Sequence, residues 1–162
     1  MSTPNPKKQQ AGALPAGTPA PDFTLAATPD QALTLSELST PAVLIFYPGD
    51  WSPLCGDELS MFQTASPLFA AHDAQLLGIS VDSSWSHIAF KEDRNIQYPL
   101  LADFNPKGGV AQEYGVYRAK DGTTERALFV VDRSRNIVWS HVSPVGVSPA
   151  VDGALRAVEA LS

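Results

Sequence analysis

Residues 42–48, AVLIFYP, form an apolar run with no polar interruption. A strand with one wet face alternates apolar and polar residues, so this run fits a strand covered on both faces. QLLGISV at 75–81 has the same character, and ALFVVD at 127–132 reads as a third buried strand followed, after the hinge RSRN, by IVWSHV. Helical spacing occupies the intervals: a helix after residue 48, another over 84–94, a short one over 110–114 and an amphipathic one over 151–161. Pro67 falls inside the first of these and predicts a kink or break there. Two short alternating segments around TPDQ predict a hairpin over residues 22–35, and residues 99–102 read as a short extended piece. Strands alternating with helices, together with hairpins, define an α/β sandwich with a central mixed sheet, an N-terminal hairpin and flanking helices. Residues 1–19, rich in Pro, Ala, Gly and Gln, have no periodic apolar face and are expected to form a mobile arm, leaving residues 20–162 as one domain.

Charge narrows the partners. A formal net charge of -6 argues against nucleic acid and against an anionic membrane surface, both of which select clustered Lys and Arg. No window approaches the roughly 18 apolar residues of a membrane span, and MSTPNPKKQQ lacks the apolar core of a signal peptide, so a cytoplasmic location is expected. His72, His87 and His141 share no ligand spacing, which leads to the expectation of no metal. PKGGV lacks the order of a phosphate-binding loop and reads as a turn.

The chain has one cysteine, Cys55, within FYPGDWSPLCGDE at 46–58. Pro48 ends the preceding strand. Ser52-Pro53 is a helix start, with serine at the cap and proline at the first helical position, where a missing N–H costs nothing. Cys55 therefore falls in the first turn, where unpaired N–H groups and the positive end of the helix dipole favour thiolate over thiol. Ser52 and Glu58 lie three residues to either side and share its face. A carboxylate beside a thiolate is repulsive unless a cation stands between them, and Arg126, directly before the third buried strand, is the candidate. A lone buried cysteine is often a packing residue only, but its place at a helix start favours a chemical role.

The pattern P-x-x-x-[ST]-x-x-C followed by x-x-E, written here by Pro48, Ser52, Cys55 and Glu58, resembles the active-site motif of the peroxiredoxins. APDFTL, GISVDSSWSHIAF, YPLLADFNPKGGVAQEYGVY and ERALFVVDRSRNIVW extend the likeness, and Arg126 aligns with the family's active-site arginine. The resemblance implies a thioredoxin-like fold and a thiol-dependent peroxidase acting in antioxidant defence. In it Cys55, Arg126, Ser52 and Pro48 form the site, Glu58 holds Arg126, and no cofactor or metal is needed. It implies a peroxide substrate, a homodimer and a Cys55 sulfenic acid. An external thiol such as thioredoxin, glutaredoxin or a low-molecular-weight thiol would recycle it. Ser86 stands where some relatives carry a second, resolving cysteine. The rival reading is a non-catalytic thiol redox sensor or holdase on the same fold, which would need only an exposed reactive thiol.

Overall fold

The computed structural model describes residues 12–144 and 151–161. Strands β1 (Thr24–Thr28), β2 (Gln31–Thr34), β3 (Ala42–Phe46), β4 (Gln75–Ser80), β5 (Leu100–Ala102), β8 (Arg126–Val131) and β9 (Ile137–Ser143) make one sheet in the order β2-β1-β5-β4-β3-β8-β9. The central strand β3 runs parallel to β4 and antiparallel to β8, so the sheet is mixed. Strands β6 (Tyr117–Arg118) and β7 (Thr123–Thr124) pair separately. Helices α1 (Pro53–Ala70), α2 (Ser84–Arg94), α3 (Gly109–Glu113) and α4 (Val151–Glu159) complete the fold.

The unbroken apolar run of β3 has a direct structural cause. Val43, Ile45 and Tyr47 enter one core, with Cys55, Leu59 and Phe62 of α1, Phe90 of α2, and Ala154 and Val158 of α4. Ala42, Leu44 and Phe46 alternate into the other, with Phe23, Leu35, Tyr114 and Phe129. Because both faces are dry, neither set of positions tolerates a polar side chain. On the second face Phe46, Tyr114 and Phe129 meet at ring centroid distances of 5.2 to 5.6 Å, two of the three pairs edge to face.

The helix ends follow their local chemistry. In α2 the Ser83 hydroxyl accepts the Ser86 N–H, and Asn95 closes the helix in the left-handed region at φ 55°. The expected interruption at Pro67 does not take the form of a break: α1 continues through it to Ala70. Pro67 lies in the last turn, so its missing N–H removes one helical bond near an end that is already open.

Of the expected N-terminal arm, residues 1–11 lie outside the described residues. The remainder is tied to the sheet: Leu14 N–H donates to Tyr114 O, Gly17 N–H to Ile137 O and Ala20 N–H to Arg135 O, while Ile137 N–H donates to Thr18 O. Ala13, Leu14 and Ala20 pack on the second core, and the Tyr114 hydroxyl donates to Pro21 O at 2.6 Å. Composition alone did not show this docking, because its hydrogen bonds use backbone groups that any residue other than a donor proline can supply.

Placement of the site follows from strand pairing. Phe46, the last residue of β3, pairs with Ala127 of antiparallel β8. Arg126 therefore lies one step beyond the end of β3, beside the loop that leads into α1.

Truncating Phe129, which is fully buried between Phe46 and Tyr114, is expected to cost about 3–5 kcal/mol. Urea unfolding of Phe129→Ala measures it, and a loss below about 1 kcal/mol would contradict this account of the second core.

Candidate active site

Ser52 has the extended backbone of a cap residue, φ -69° and ψ 131°, and Pro53 opens α1. Gly56 N–H donates to Ser52 O at 2.9 Å, which starts the helical ladder. The N–H groups of Leu54 and Cys55 precede that first bond, so the thiol sits among donors that the helix itself leaves unused. Cys55 is fully buried and belongs to the first core. The Ser52 hydroxyl makes no capping bond, which leaves it available for another acceptor or donor.

Arg126 reaches into this core and is itself buried. Its Nη1 lies 3.4 Å from Cys55 Sγ and 2.5 Å from Glu58 Oε1. One guanidinium nitrogen therefore faces both the sulfur and the carboxylate, the bridging cation that the spacing of Cys55 and Glu58 called for. Burial pushes the Glu58 carboxyl up to about 7, against the hydrogen bond and charge of Arg126, which pull it down. Its second oxygen, Oε2, is buried and has no partner among the described residues. A second guanidinium borders the same turn: a Cβ at Gly56 would lie 2.5 Å from Arg94, so glycine leaves the room that Arg94 occupies.

Pro48 follows β3 and is half-buried. Ser86 is placed differently from the other candidates: its hydroxyl donates to Asp50 Oδ2 at 2.8 Å, not to the Cys55 group. Here the structure assembles a polar cluster that the sequence reading missed. Asp50 Oδ1 accepts from the Tyr47 hydroxyl at 2.7 Å, and Oδ2 also lies 2.8 Å from His87 Nδ1. The Asp50 N–H donates to Asp82 Oδ2, which further accepts from the Ser80 hydroxyl. On its far side the His87 ring meets Leu101 O at 3.1 Å. Little in the local sequence marks Asp50, since apart from Tyr47 its partners Asp82, Ser86 and His87 come from positions more than thirty residues away.

Asp50, Asp82 and His87 lie close enough together to suggest a metal centre. Both Asp50 oxygens and both His87 nitrogens already have protein partners, so the cluster satisfies itself without an ion.

A thiol beside a helix start, with a guanidinium spanning thiol and carboxylate, is built to stabilise sulfur as an anion and to receive charge from it. Residues 16–140 match the AhpC/TSA family. A putative peroxiredoxin of Synechocystis sp. is 36% identical, over 91% of this chain and 78% of its own. Peroxiredoxin 2 of Thermoplasma acidophilum is 34% identical over 90% and 75%. Among solved structures, peroxidoxin BcpB of Mycobacterium tuberculosis superposes with a TM-score of 0.84 at 33% identity, covering 92% of this chain and 99% of that one. AhpC of the same organism gives 0.80 at 28%, covering 92% and 98%. The chain belongs to the AhpC/TSA family: it is a peroxiredoxin with the thioredoxin fold, a thiol-dependent peroxidase. Its substrate class is a peroxide and its reductant a thiol. No helix among the described residues is long and apolar enough to cross a membrane.

Glu58 also makes stability depend on pH. The folded carboxyl holds its proton up to about 7 against an ordinary value of 4.5, so its contribution is present below 4.5 and is lost as pH rises through 7. The unfolding free energy of the parent minus that of Glu58→Gln should therefore fall across this window. Urea titrations from about pH 4 to about pH 8 read it, and a difference independent of pH would contradict the raised value.

Proposed function

We propose that Cys55 is the nucleophile of this peroxidase and that Arg126, Ser52 and Pro48 complete its site. The supporting observation is the position of Arg126 Nη1, within reach of both Cys55 Sγ and Glu58 Oε1. The Cys55 thiolate attacks one peroxide oxygen in line with the O–O bond. An S–O bond forms as the O–O bond breaks, and the other oxygen leaves as hydroxide or alkoxide and takes up a proton. Negative charge moves from sulfur to the departing oxygen, so donors fixed around that path lower the barrier. Arg126 suits this post because its planar fork can hold Glu58 with one edge and meet peroxide with another. The Ser52 hydroxyl and the Cys55 N–H are the further donors. Pro48 shields the sulfur and braces the loop.

The product is Cys55 sulfenic acid. With no second cysteine in the chain, its return requires an external thiol. That thiol displaces water to form a mixed disulfide at Cys55, and a second thiol releases Cys55 and leaves the reductant as its disulfide. Thioredoxin, glutaredoxin or a low-molecular-weight thiol would serve, and each is found in a reducing cytoplasm. Ser86, at the possible resolving position, offers a hydroxyl, which cannot form a disulfide. A homodimer is part of this reading; the exposed Trp51, Trp85 and Phe104 provide apolar surface for one. The sensor or holdase alternative is weaker, because a buried thiol served by a guanidinium and a carboxylate exceeds what a stoichiometric sensor requires.

Peroxide consumption with dithiothreitol as reductant tests the assignment. Cys55→Ser should abolish turnover. Arg126→Lys, which keeps the charge and loses the fork, should slow peroxide attack roughly 10- to 1000-fold. Turnover above background in the first variant, or an unchanged rate of attack in the second, would remove these residues from the mechanism.

A further inference from the structure

Away from Cys55, α2 carries a lysine whose surroundings differ from those of an ordinary surface amine. Lys91 lies in the last turn of the helix and is half-buried. Its Nζ donates to Tyr98 O at 2.8 Å, and among the described residues it has no carboxylate partner. Surface lysines are usually held as ammonium ions by water or by an acid. Here one carbonyl oxygen meets the charge, and burial lowers the ammonium from its ordinary 10.5 with no acid to oppose it. A carbonyl can only accept. A neutral Lys91 therefore keeps an N–H on Tyr98 O and turns its lone pair elsewhere.

That lone pair has room for a partner. Lys91 lines an open cleft of about 330 Å³ with Ile88 and Glu92 of α2, Ala27 and Thr28 of β1, and residues 95–97. Glu92 is the one other charged residue in this lining, since β1 and residues 95–97 contribute none. Tyr98 is engaged elsewhere through its hydroxyl, which donates to Leu59 O in α1. The cleft thus sets a partly desolvated amine beside apolar walls, with space for a short chain and an outlet to solvent. Lys107 and Lys120, by contrast, are exposed.

We propose that Lys91 is a modification site, acylated at Nζ by short-chain acyl thioesters that enter this cleft. The neutral amine attacks the thioester carbonyl carbon. A C–N bond forms as the C–S bond breaks, the thiolate leaves, and the proton shed by nitrogen passes to it through water, with no change of oxidation state. The product is a neutral amide that retains one N–H for Tyr98 O. It removes a charge from a half-buried place, so the acylated side chain suits the cleft better than the ammonium does. The inference is independent of the peroxidase reading of Cys55.

Incubation of the folded protein with S-acetyl-N-acetylcysteamine, followed by digestion and mass spectrometry, gives the acetylation rate of each lysine from about pH 7 to about pH 10. At about pH 8 Lys91 is expected to react roughly three- to tenfold faster than Lys107 and Lys120, and its rate should level off at a lower pH than theirs. Ile88→Glu sets a carboxylate one turn before Lys91 in the same cleft. It should hold the ammonium form and bring the Lys91 rate down to that of the exposed lysines. Circular dichroism establishes that this variant is folded; if it is not, the pH profile of the parent decides alone. A Lys91 that reacts no faster than Lys107 and Lys120 at about pH 8, or whose profile coincides with theirs, overturns the proposal. An unchanged Lys91 rate in folded Ile88→Glu does the same.

Discussion

A guanidinium with almost no access to water requires its charge to be met inside the protein, and the arrangement around Cys55 follows from that requirement. Leaving a buried charge without its partner costs about 3–5 kcal/mol, whereas an intact pair contributes little net stability compared with an apolar replacement. The Glu58–Arg126 pair is thus poorly explained as a device for stability. It is better explained by what it holds in place: a cation within 3.4 Å of the only thiol in the chain. One guanidinium serves two groups that can each become anions, and the Glu58 proton, retained up to about 7, reflects how little solvent is present to help.

The fold makes that placement possible. Strand β3, buried on both faces, ends at the loop before α1, and the antiparallel start of β8 delivers Arg126 beside it. Helix α1 then brings Cys55 and Glu58 to the same face one turn apart. Side chains from two different elements, α1 and β8, can meet within hydrogen-bonding distance only where the backbone behind them is rigid, and the two cores on either side of the sheet supply that rigidity. The loop differs: it carries a left-handed tryptophan, and Asp50 within it bonds to Asp82, Ser86 and His87.

Much of this was legible in the sequence because the strongest signals are local. The doubly buried run at 42–48 predicted a central strand, Ser52-Pro53 predicted the start of α1, and the interval 84–94 coincides with α2. The pairing of Arg126 with Glu58 was accessible by charge balance, since two anionic groups on one helical face demanded a cation. Long-range geometry was less accessible. Tyr47, Asp50, Asp82 and His87 have no shared spacing, and His87 read only as one histidine among three. Docking of residues 12–19 through backbone hydrogen bonds left no mark on composition, and Pro67 did not break its helix because it lies near the end.

The central claim is that the buried thiol beside Arg126 takes oxygen directly from peroxide. Intact mass spectrometry after one equivalent of hydrogen peroxide, with and without dimedone, tests it most directly. The account predicts a gain of one oxygen atom located at Cys55 and its replacement by a dimedone adduct when the trap is present. An unmodified Cys55 in a folded, reduced protein that has been exposed to peroxide, or oxygen gained only on methionine, would contradict it.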